Sequence, residues 1–233
     1  MFTLFKKEIN YYLNNPIGYI IVILFAVFAN FLFIKDIFVV GSASMKPFFG
    51  LLPWLFLIFI PALTMRIFSE EKRTNTIEIL LTLPISETQI VLSKFLALLT
   101  LVLFALLLTF GLPISLSFLT KIYLPEIIVG YFGSLILSAL FISLSMVFSV
   151  FSKNQVIAFL TSIITLFMIL VLGTDFMATI FPKFVLDFLV YYTPMYQFQN
   201  FVRGVVDFRS VVYFVSGILL FLFITIISLE KRD

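Results

Sequence analysis

Residues 127–151, IIVGYFGSLILSALFISLSMVFSVF, run for 25 residues without an Asp, Glu, Lys or Arg. A helix of that length crosses the hydrocarbon core of a bilayer, which takes roughly 17 to 25 apolar residues. Five further stretches meet the same test: Ile17 to Ile34, Phe48 to Met65, Phe95 to Leu119, Val156 to Gly173 and Val211 to Leu229. The expected fold is therefore all-α, a polytopic membrane protein with six transmembrane helices in a single domain over residues 1–233.

Composition supports lipid as the solvent. The chain is 62% hydrophobic and 12% charged, against about half and about a quarter in soluble domains. It has no Cys and no His, which excludes disulfides, thiolate or imidazole metal ligation and any Ser-His or Cys-His nucleophile pair. No catalytic, cofactor-binding or metal-binding residue is assigned, and the chain is not read as an enzyme. The charge of +3 is too small and dispersed for a nucleic-acid binder. The first long apolar run begins only after Pro16 and has no A-x-A-like cleavage site, so the N-terminus is expected to be retained.

Basic residues set the topology. With the N-terminus inside, nine of the 15 Lys and Arg lie on the inner side and six on the outer. Of those six, Lys183, Arg203 and Arg209 belong to a long segment, where the bias carries little weight. Both termini are thus expected in the cytoplasm and the protein in the cell (cytoplasmic) membrane. Within residues 1–15, Phe5, Ile9, Tyr12 and Leu13 share a helical face, with Lys6, Lys7, Asn10 and Asn14 largely elsewhere. That is the pattern of a helix lying in the interface plane. Pro16 then fits the first position of a new helix, with Asn15 as its cap.

In the fourth span Ser134, Ser138, Ser145 and Ser149 fall on one stripe of small residues, which favours close helix packing. No span carries an Asp, Glu, Lys or Arg in its interior, whereas ion-coupled pumps usually need such groups. No G-x-x-x-x-G-K-[ST] loop is present to cradle nucleotide phosphates, so an ATP-driven mechanism requires a separate ATPase chain.

The loop over residues 66–94 begins polar and passes into the apolar cluster Ile77, Ile79, Leu80, Leu81 and Leu83 before Pro84. Ser86 and Gln89 fit a capping box, so a helix should start after Ser86 and run through Lys94 into the third span. The loop reads as two helical pieces hinged at Pro84. Its order, R-x-F-S-E-E-K-R-x-x-T-x-E-x-L-L-T-x-P-I from Arg66 to Ile85, resembles the signature loop of type-2 ABC permeases, especially the gliding-motility and nitrous-oxide-reductase-maturation groups. The stretch YQFQNFVRGVVDFRSVVYF, Tyr196 to Phe214, looks like the segment before the last helix of the same permeases.

The resemblance implies a six-helix half-transporter that dimerises, as a homodimer or heterodimer, and is driven by ATP-binding cassette subunits. It makes the loop a coupling helix docked on the ATPase, with Glu70, Glu71, Lys72 and Arg73 as its polar start. Thr76 and Glu78 become exposed contacts, and Leu80, Leu81, Pro84 and Ile85 the apolar anchor and hinge; Glu87 and Lys153 fall outside the contact. Where the family has Gly in a K-x-x-G-T pattern this chain has Asn75, which tolerates the left-handed conformation better than most residues. Residues 174–210, rich in Phe and Tyr and interrupted by Pro182 and Pro194, are expected to form short re-entrant or interfacial helices on the outer side. Asp187, Arg203, Asp207 and Arg209 read as interface-anchoring charges. The leading expectation is an exporter permease; a self-contained secondary transporter or channel and a membrane anchor or assembly factor are the alternatives.

Overall fold

The computed structural model describes residues 1–40, 44–77, 85–118, 123–173 and 190–230, and all regular structure among them is helical. The chain opens with α1 (Phe2–Asn14), then turns through an extended Asn15 (φ −97°, ψ 126°) into α2 (Pro16–Val40). The elbow falls where Pro16 fixes the first helical φ. Helix α2 continues past the expected end at Ile34, because Lys35 and Asp36 are not helix breakers and the apolar IFVV follows.

Helix α3 (Lys46–Thr64) is followed by the short α4 (Ser69–Arg73). The third span is α5 (Glu87–Leu107) with a turn into α6 (Gly111–Ser117). The break falls where Gly111 weakens the helix and Pro113 cannot donate a backbone hydrogen bond. The Ser86 side chain accepts from the Gln89 N–H at 3.4 Å, so the helix starts where the capping residues place it. Helices α7 (Leu124–Phe151), α8 (Gln155–Val171), α9 (Pro194–Val202) and α10 (Phe208–Glu230) complete the bundle.

Among the described residues, five helices are long and apolar enough to cross a membrane. The expected fifth span is the shorter α8, whose 17 residues reach about 26 Å. Helix α7 lies at the centre, packed against α3, α5, α8, α9 and α10. Its serines Ser134, Ser138, Ser145 and Ser149 are all buried. Ser134 and Ser138 return their hydroxyls to carbonyls one turn back, at Gly130 and Leu135.

Two glycines of α7 admit neighbouring aromatics. A Cβ on Gly130 would lie 2.3 Å from the Phe49 ring, and one on Gly133 would lie 2.3 Å from the Cβ of Phe201 in α9. Together they seat α3 and α9 against the central helix.

Three expectations about boundaries and faces are revised. The buried face of α1 is formed by Glu8 and Tyr12, while Leu13 is 55% exposed. The last span begins at Phe208 rather than Val211, because the Asp207 side chain accepts from the Arg209 N–H at 2.9 Å and starts the helix early. Ser210 therefore belongs to α10 rather than to the outer segment, of which residues 174–189, including Asp187, lie outside the described residues. Helix α5 runs through Lys94 as expected, but Lys94, counted at the end of the polar loop, is buried.

Candidate functional site

The end of the bundle that carries α1 also carries α4, the start of α5 and the turn between α7 and α8. Glu71 and Glu8 both meet Lys94 there. The Lys94 Nζ donates to Glu71 Oε1 at 2.7 Å, to Glu8 Oε1 at 3.1 Å and to the Ile67 carbonyl at 3.1 Å. The ammonium also lies 5.3 Å from the centre of the Phe68 ring. All three Lys94 protons thus have an acceptor, the condition under which a charge is tolerated away from water. The two carboxylates come from α1 and α4, so a single side chain of α5 ties three segments together.

Hydroxyls extend the tie. Tyr12 Oη donates to the Leu63 carbonyl at 3.0 Å, and Tyr11 Oη donates to Glu70 Oε2 at 3.2 Å. Burial first, then the Glu8 carboxylate, holds the Tyr12 phenol well above the usual tyrosine range. Burial and then Glu70 push Tyr11 up as well. Both therefore remain neutral donors at physiological pH. On the opposite flank the Phe68 and Ser69 N–H groups donate to Ser149 Oγ of α7 at 3.2 and 3.4 Å, and Ser149 donates to the Met65 carbonyl at 3.2 Å.

Beyond α4 the chain reverses through Asn75, whose φ of 55° is the left-handed value expected of it, and Thr74 and Thr76 bond through their hydroxyls at 2.9 Å. Arg73 and Thr76 are exposed; Glu70, Glu71, Lys72, Ile77 and Ile85 are half-buried, and Ile77 and Ile85 pack against the chain's own core. Glu78, Leu80, Leu81 and Pro84 lie outside the described residues.

Glu8 and Lys94 were absent from the site as read from sequence. The signals available were a carboxylate in the middle of an otherwise basic amphipathic helix and a lysine at the membrane end of a capped one.

At the other end, α9 sits against α7 and α10. A buried polar cluster joins it to the last span. Ser210 Oγ donates to Gln197 Oε1 at 2.9 Å, Asn200 Nδ2 donates to Ser210 Oγ at 3.0 Å, and Gln197 Nε2 donates to the Tyr191 carbonyl at 2.9 Å. Such satisfaction lets polar side chains sit inside the bundle, away from water.

The described residues form an all-helical, polytopic membrane bundle with a polar, internally braced segment between its second and third spans. Residues 2–233 match the ABC-2 family transporter proteins, and the chain belongs to that family. It is the membrane component of an ABC transporter, and such permeases work with an ATP-binding subunit. No curated protein matches the chain.

Proposed function

We propose that the chain is the permease half of an ABC exporter in the cytoplasmic membrane, with both termini in the cytoplasm. Two such halves enclose the path, and ATP-binding subunits dock on the loop over residues 66–94. The observation that carries this reading is the bracing of α4. One flank is bound through Glu71 and Lys94 to α5, and the other through Ser149 to α7. A push on the loop is therefore delivered to two spanning helices rather than absorbed by a loose connection. Leu80, Leu81, Pro84 and Ile85 form the proposed apolar anchor and hinge, with Thr76 and Glu78 beside them.

The test is co-expression with an ATP-binding subunit carrying a Walker motif, followed by purification in mild detergent. The double substitution Leu80→Asp and Leu81→Asp places two charges in a contact that must be desolvated, at a cost of roughly several kcal/mol. It should abolish recovery of the ATPase, whereas Glu87→Gln should retain it. Equal recovery with wild type and the double variant would remove the loop from the coupling path.

A further inference from the structure

The stretch Ser69–Arg73, SEEKR, is balanced in charge as a sequence, but the fold separates its two halves. Glu70 is taken by Tyr11 of α1 and Glu71 by Lys94 of α5. Among the described residues the ion pairs are Lys46–Glu126, Lys94–Glu8 and Lys94–Glu71, and none engages Lys72 or Arg73. Helix α4 packs against α7 and α8, and the Phe68 and Ser69 N–H groups at its start bond to Ser149 of α7.

Four residues beyond Ser149 the chain reaches exposed Lys153. That turn is itself ordered: Ser152 Oγ donates to the Asn154 carbonyl at 2.8 Å, and the Asn154 side chain caps α8 by accepting from the Val156 N–H at 2.9 Å. Burial first, then the like charge of Lys153, holds the Lys72 ammonium below the usual lysine range. Two neighbouring segments of a braced surface thus carry like charges, and among the described residues Lys72, Arg73 and Lys153 make no ion pair.

We propose that Lys72, Arg73 and Lys153 form a cationic docking patch for the ATP-binding subunit, and that the surface of that subunit meeting them is acidic. This rests on the coupling reading above and extends the contact to the α7–α8 turn, which sequence alone left outside it. Like charges held in one place raise the free energy of the unbound state, and an opposing row of carboxylates relieves it while steering association. A protein surface fits better than lipid headgroups, because the patch continues into the exposed polar edge of Thr74, Asn75 and Thr76, closed by its own hydroxyl bonds. The exposed apolar side chains Phe2 and Leu13, suited to the bilayer surface, belong instead to α1, which packs on α2 and α5.

The experiment uses the complex of the intact chain with its ATP-binding subunit. A zero-length carbodiimide, which joins an amine only to a touching carboxylate, should link Lys72 or Lys153 to Asp or Glu of the ATP-binding subunit, as identified by mass spectrometry. The variant Lys72→Gln/Lys153→Gln should bind that subunit about tenfold more weakly at low salt and show a flatter salt dependence. Absence of those cross-links together with wild-type binding overturns the inference. So does a variant that keeps the ATP-binding subunit but loses phosphatidylglycerol retained by the wild type in native mass spectrometry. An ATP-binding subunit that stays on the lysine variant yet leaves Leu80→Asp/Leu81→Asp overturns this inference while the coupling reading stands.

Discussion

Replacing Lys94 with Met leaves the buried Glu8 carboxylate and the half-buried Glu71 carboxylate without a counter-charge. In the native protein the side chains of Lys94, Glu8 and Glu71 are 3%, 11% and 23% exposed. At an effective dielectric of about 20, the contacts of 2.7 and 3.1 Å correspond to roughly 6 and 5 kcal/mol of Coulomb attraction. Desolvation of the three ions and repulsion between the carboxylates offset most of that, so the triad adds little net stability. Removing only the cation forfeits the attraction and keeps the penalties, at about 3 to 5 kcal/mol.

Lys94→Met should therefore lower the melting temperature in detergent and speed amide exchange in α1. Lys94→Arg, which keeps the charge, should retain most of the stability. The triple change Glu8→Gln/Glu71→Gln/Lys94→Met should recover much of the loss, because no uncompensated charge remains. The pH dependence has a definite sign. Burial already holds the Glu71 carboxyl above the usual range and the Lys94 ammonium opposes it, so in Lys94→Met Glu71 binds its proton more tightly folded than unfolded, stability falls as pH rises, and the deficit shrinks on acidification. A Lys94→Met protein with wild-type melting temperature and unchanged exchange in α1 would refute the argument.

Two further predictions concern packing and orientation. Gly133→Ala places a methyl 2.3 Å from the Cβ of Phe201, an atom that no rotamer change can move, and should destabilise by about 1 to 3 kcal/mol on thermal unfolding. Gly50→Ala in α3, where a Cβ meets nothing within 4 Å, should be neutral or mildly stabilising, and equal effects at the two sites would contradict the packing described. A single Cys at exposed Lys7, in a chain with no other Cys, should resist an impermeant thiol reagent in intact cells and react once the membrane is opened; labelling of intact cells would invert the topology.

The sequence by itself determined the solvent, the helical class and the approximate positions of the spans, because hydropathy sums over neighbouring residues and needs no knowledge of the fold. Local stereochemistry was equally legible: Pro16 opens α2, Ser86 caps α5, and Asn75 takes a positive φ, each set by one or two residues acting on their own backbone. Only the tertiary structure decided where the charges go. Glu8 and Lys94 are 86 positions apart, and neither their separation nor their local surroundings marks them as partners. Their meeting turns α1 so that Glu8 faces inward and Leu13 outward, against the apolar pattern of the helix, because pairing a buried ammonium outweighs burial of one leucine. The same long-range contacts engage the acidic half of SEEKR with α1 and α5 and leave its basic half outside the ion pairs of the described residues, a division that a sum of charges along the chain cannot contain.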